Sequence, residues 1–203
     1  MQAPQTKHWL LLGTLSLAWG FAFYLIAVAL ESFQPLTIVN IRLAVGATTL
    51  YWVMRWKGHR FPREGHWWGR FALLTLLGNL IPFSLITWAE TEISSSQAGL
   101  LMALMPISTM VLSHFFVHGD TLTPRRLFGV FLGFGGVVVL VGGEALEGMG
   151  GSALLAQLAV LLATLAYASN AVHAKRLPPI DTIVVSTGSL GVGALMLLPF
   201  TLY

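Results

Sequence analysis

Apolar runs of about twenty residues recur along this chain, and they leave few folds open to it. A bilayer span needs roughly 20 mostly apolar residues at about 1.5 Å rise each. Seven runs meet that need, at 9–30, 36–55, 69–89, 97–116, 125–143, 152–173 and 183–203. They are continuously apolar and lack period-two alternation, which excludes a β-barrel. Charged residues make up 9% of the chain, too few to cover a soluble domain. The expected fold class is an all-α polytopic membrane protein with seven transmembrane helices. Short loops make successive helices antiparallel neighbours. The first run, behind Lys7, exceeds the signal-peptide core of about 7–15 residues, so it is read as a span.

Basic residues set the orientation. Lys7 precedes the first run, and Arg55, Lys57, Arg60, Arg63 and Arg70 surround the second loop. Arg125 and Arg126 close the fourth loop, and Lys175 and Arg176 occupy the sixth. The alternate loops hold Glu31, then Glu90 and Glu92, then Glu144 and Glu147, without a Lys or Arg. Ten of the 11 basic residues therefore share one side, and Arg42 is the exception. The expected N-terminus is cytoplasmic, in a bacterial inner membrane. The basic residues lie in short loops and form no continuous face, so a nucleic-acid partner is not expected.

Two stretches echo each other five spans apart: "SLAWGFAFYLIAVALESFQPLTIV" and "LLATLAYASNAVHAKRLPPIDTIVV". Each sets small residues around an aromatic (Trp19, Tyr167), then an apolar stretch, then Pro and a helix start. An odd-numbered repeat gives inverted topology, a recurrent plan in secondary transporters. The runs "AWGFAFYLIAVAL", "GNLIPFSLITWAETEISSSQAGLLMALMPISTMVLSHFF" and "GDTLTPRRLFGVFLGFGGVVVLVGG" resemble the EamA branch of the drug/metabolite transporter superfamily. That resemblance implies ten helices in two inverted five-helix repeats, with both termini cytoplasmic. Residues 1–143 would be the first repeat and 144–203 a partial second one, so the chain is expected to be truncated or a fragment. The family pattern has Glu in the loop where this chain has Asp120, a swap that keeps the charge.

Regular small residues are the first candidates for packing or hinge roles. Gly129, Gly133 and Gly136 punctuate the fifth run, and Gly99 lies between Ser95 and Ala103 on the fourth. Such spacing lets helix backbones approach closely in lipid. Pro82 and Pro106 lie inside the third and fourth runs, where each removes a backbone donor and bends its helix. Polar and aromatic residues within the runs give the candidate substrate contacts: Arg42, Trp19, Asn40, Asn79, Trp88, Tyr167 and Asn170. A buried carboxamide needs a partner, on a neighbouring helix or on a substrate.

Other signals are missing. No Asp or Glu falls at mid-membrane, where an exporter of organic cations would need one. Cysteine is absent (Cys 0), which removes thiolate metal sites, and no HExxH, GxSxG or Walker A pattern occurs. His118 and Asp120 share a loop without a third partner. Neither a cofactor nor a metal is expected, and the chain is not read as an enzyme.

The function that fits is secondary transport of a small organic metabolite, amino-acid-like or otherwise anionic or zwitterionic, by alternating access. A non-transporting half-module that assembles with a partner is one alternative. A membrane-embedded lipid enzyme is another. Expected partners are a small-molecule substrate and the bilayer, with a homodimer left open. Arg42 has two readings: it snorkels outward to pair with Glu31, Glu90 or Glu92, or it faces a cavity and holds a substrate's anionic group bidentately.

Overall fold

The computed structural model of the chain describes residues 5–117, 123–146 and 153–201. His118, Asp120 and Glu147 lie outside the described residues. Helices account for nearly all of the rest: α1 Thr6–Leu30, α2 Pro35–Trp56, α3 His66–Thr75, α4 Ile81–Ala89, α5 Ser95–Met102, α6 Met105–Phe116, α7 Pro124–Leu146, α8 Leu154–Ala174 and α9 Thr182–Thr201. Among the described residues six stretches are long and apolar enough to cross a bilayer: α1, α2, His66–Ala89, Ser95–Phe116, α8 and α9. The fifth predicted run, 125–143, coincides with α7, which is not among those six.

Local chemistry explains where the helices start and stop. Pro35 opens α2, where its missing N–H costs nothing. At the other end Gly58 takes φ +78°, and the amides of Gly58 and His59 donate to the carbonyls of Arg55 and Met54. This left-handed closure suits glycine. Ser94 and Gln97 cap α5 reciprocally, each side chain accepting the other's backbone N–H at 3.2 Å.

The two intramembrane prolines do more than bend their helices. Pro82 follows a single π-helical turn, Leu76–Leu80, in which the Ile81 amide reaches back to the Leu76 carbonyl. Pro106 opens α6 after a tight turn at Ala103 and Leu104. Each proline withholds an N–H from the preceding turn, so the third and fourth predicted runs are each built from two helical pieces.

α9 lies along α2 and α3, and α8 packs against α4 and α6. Val39, Leu43 and Leu197 form the core between α2 and α9, and Met54, Trp67, Phe71 and Val184 fill the space beside α3. A third cluster, with Ala89, Ala98, Ala156 and Val160, seals the α4–α5 corner against the start of α8. The close approaches come at glycines other than those with the most regular spacing. A Cβ on Gly188 would stand 2.6 Å from the Phe71 ring, and one on Gly193 would stand 2.9 Å from Thr75 Cγ2. At Gly99, Gly129, Gly133 and Gly136 nothing lies within 4 Å of that position. Small-residue spacing permits a close approach but does not by itself supply an opposing atom, and among the described residues none stands that near at these four.

Candidate functional site

A cavity of about 290 Å³ opens where the break in the third span faces α1, α2 and α8. Trp19 from α1, Arg42 from α2, Asn79 from the π turn, Phe83 from α4 and Tyr167 from α8 line it. Both broken spans reach it, since Gly78 and Met102 (each four residues before a proline) also form its wall. The cavity is therefore built from the irregular backbone. Non-helical backbone at membrane depth is tolerated where it lines a cavity or is buried in protein.

Arg42 dominates the chemistry of this space. Its guanidinium carbon stands 4.4 Å from the centroid of the Phe83 ring, and Phe83 meets Tyr167 edge-on at 6.3 Å between centroids. The ring face attracts the cation but leaves its planar N–H fork unused. Among the described residues His59 and Asp181 form an ion pair at 3.3 Å, and no carboxylate lies within 4.0 Å of the Arg42 guanidinium. The expected direct pairing with Glu31, Glu90 or Glu92 is therefore not formed.

Four of the seven predicted contact residues, Trp19, Arg42, Asn79 and Tyr167, come together here. Three do not line the cavity. Asn40 is two residues from Arg42 but turns to α9, donating to Thr201 Oγ1 at 2.7 Å. Trp88 is 41% exposed on α4. Asn170 packs from α8 against Gly78, where a Cβ would come within 2.5 Å of its amide nitrogen. Asn170 thus supports the wall from behind. Phe83 carries no sequence signal, since an aromatic in an apolar run is ordinary.

Glu90 is the functional candidate that sequence reasoning placed in a loop. It follows α4, and its Oε2 accepts a hydrogen bond from Ser95 Oγ at 3.0 Å. Its Oε1 is buried without a partner among the described residues. Burial pushes its carboxyl up to about 7, against the opposing effects of the Ser95 hydrogen bond and the Arg42 charge. A larger, shallower hollow of about 580 Å³ lies between α6, α7 and α8, with Arg125, Arg126 and Lys175 at its rim. It gathers none of the predicted contact residues.

With this geometry in view, the comparison with known proteins is decisive for family. Residues 7–142 match the EamA-like transporter family. The chain belongs to that family. EamA-like proteins form part of the drug/metabolite transporter superfamily. The uncharacterized transporter YoaV of Bacillus subtilis is 27% identical over 93% of this chain and 64% of its own length. An uncharacterized transporter of Archaeoglobus fulgidus is 27% identical over 96% of this chain and 67% of its own. The uncharacterized inner membrane transporter YedA of Escherichia coli is 24% identical over 91% and 58%. A solved crystal structure superposes with a TM-score of 0.69 at 22% identity, covering 91% of this chain and 66% of the other. The chain thus spans about two thirds or less of the length of these proteins.

Proposed function

We propose that the protein is a secondary transporter of a small organic anion or zwitterion, and that Arg42 holds the substrate's carboxylate in the cavity. One observation carries this reading: a half-buried guanidinium in an aromatic-walled cavity, with no carboxylate within ion-pair distance. Such a charge is costly in a membrane unless function retains it. A carboxylate fits the unused fork bidentately, and Trp19, Phe83 and Tyr167 offer flat apolar surfaces to the rest of the solute.

The remaining architecture follows the inverted-repeat plan. Seven membrane spans belong to a ten-helix bundle, with residues 1–143 as one repeat and 144–203 as part of the second. The N-terminus is cytoplasmic in this reading, which the one-sided placement of Lys and Arg supports. Alternating access arises at the broken spans, where Pro82 and Pro106 concentrate bending beside the cavity. The relatives named as transporters support this class over the lipid-enzyme alternative.

The test is uptake into proteoliposomes carrying the full-length protein, against a panel of amino acids, carboxylates, nucleobases and amines. Carboxylate-bearing solutes are expected to be transported. Arg42→Gln should abolish their uptake, and Arg42→Lys should lower it by about tenfold or more, because an ammonium cannot reproduce the bidentate fork. Undiminished carboxylate uptake by Arg42→Gln would overturn the assignment.

A further inference from the structure

The proposed anion site has a titratable neighbour that it does not touch. Glu90 lies one helical turn beyond Ile86, and Ile86 lines the cavity. α1 and α5 meet around its carboxyl: Ser95 Oγ donates to Oε2 and stands 3.5 Å from the Phe23 carbonyl. Among the described residues the buried Oε1 has no donor. A carboxylate held this way carries one unsatisfied oxygen, whereas a carboxylic acid places a proton on it.

The charged surroundings are sparse. Among the described residues α2 supplies Arg42, the charge that acts on Glu90, and α8 supplies Tyr167, which stands beside Arg42. α5 contributes only the Ser95 hydroxyl. The cation and histidine of α1, Lys7 and His8, lie about 24 Å along that helix from Phe23. Glu92 and Glu31 are exposed to the outside of the corner.

We propose that Glu90 is a proton-binding site linked to the anion site at Arg42, so that one proton loads with each anion and both cross together. This rests on the reading of Arg42 as the carboxylate's partner. With the site empty, ionised Glu90 and Arg42 sum to no net charge. With an anion on Arg42 and a proton on Glu90, the sum is again zero. Either mixed state leaves a net charge on a partly buried pair, which is disfavoured. The anion cancels the field that kept Glu90 ionised, so Glu90 takes a proton from water. By reciprocity, protonated Glu90 leaves Arg42 free to bind the anion more tightly. The proton moves from water on the loading side to Glu90 Oε1 and returns to water on the other, with no covalent step.

Two measurements on the full-length protein in lipid nanodiscs test this. Calorimetric titration with benzoate, a carboxylate probe, should show affinity that is flat between the probe's own carboxyl range, about pH 4, and the Glu90 midpoint. Affinity should then fall by about tenfold per pH unit above the Glu90 midpoint. Glu90→Gln should bind benzoate with no such pH dependence. Infrared difference spectra, which need no ligand, should show a buried carboxyl band titrating near neutral pH. That band should vanish in Glu90→Gln and should titrate at higher pH in Arg42→Gln. An absent band, or one indifferent to Arg42→Gln, with benzoate still binding, would overturn the linkage and leave the anion site standing. A responsive band with no benzoate binding at any pH would overturn the anion site and the linkage with it.

Discussion

Gly78→Ala is the most informative single change at the cavity wall. The added methyl would sit 2.5 Å from Asn170 Nδ2, 2.7 Å from Cγ and 3.0 Å from Oδ1. Unstrained contacts need about 3.5–4.0 Å, so the amide or the α8 backbone must retreat by about 1 Å. Overpacking of this kind costs about 1–3 kcal/mol. The usual helix-propensity gain of Ala over Gly, up to about 1 kcal/mol in water, gives little relief here. Membrane helices remain helical when they separate, so that gain cancels. Asn170→Ala removes all three clashing atoms. The double variant should therefore recover most of the loss, with a coupling energy of about 1–3 kcal/mol. Thermal denaturation in detergent, read as loss of the monodisperse peak, gives the four stabilities of the cycle. Carboxylate uptake should fall in Gly78→Ala beyond what its folded yield explains, because Gly78 lines the cavity. An additive cycle, or a Gly78→Ala protein as stable as the parent, would refute the close contact.

Three further outcomes follow from the same packing. On α9, Gly188→Ala should destabilise by about 1–3 kcal/mol against the buried Phe71 ring. Gly191→Ala, with nothing within 4 Å, should stay within about 0.5 kcal/mol of the parent in the same melt. Asn40→Ala should cost about 0.5–1.5 kcal/mol through its hydrogen bond to Thr201, and Thr201→Val should make it nearly silent in a double-variant melt. Glu90 gives a pH signature in stability. Its carboxyl rises from an ordinary value of 4.5 to about 7 on folding, so the folded state binds more protons between those values. Melting temperature should therefore fall as pH rises through that window and level off above it, and Glu90→Gln should remove the fall.

The spans could be read from the sequence because lipid demands long apolar runs, and their breaks because proline lacks a donor wherever it sits. Arg42, Asn79 and Tyr167 stood out as polar groups in apolar runs, and they do line the cavity. Which way Asn40 and Asn170 turn was not legible. Their helices are apolar almost all round, so no stripe marks an inner face. Gly78 and Gly188 look like any other glycine until Asn170 and Phe71, far along the chain, come up against them. Conversely, an added Cβ at the regular α7 glycines Gly129, Gly133 and Gly136 would meet no described atom within 4 Å. Glu90 looked like a loop residue because sequence position reports nearness to a helix end. Its burial depends instead on Phe23 and Ser95 closing over it.

The seating of α9 along α2 has a consequence for biosynthesis. Asn40 and Thr201, joined by a hydrogen bond, stand 161 residues apart in the chain. At about 5–20 residues per second, α2 waits roughly ten to thirty seconds in the membrane before its mate is made. Throughout that interval Val39 and Leu43 have Leu80 and Phe83 beside them but not Leu190, Ala194 or Leu197 of α9, and the Asn40 carboxamide lacks the Thr201 hydroxyl. The first helices therefore emerge as a half-open clasp, and the last described helix snaps it shut.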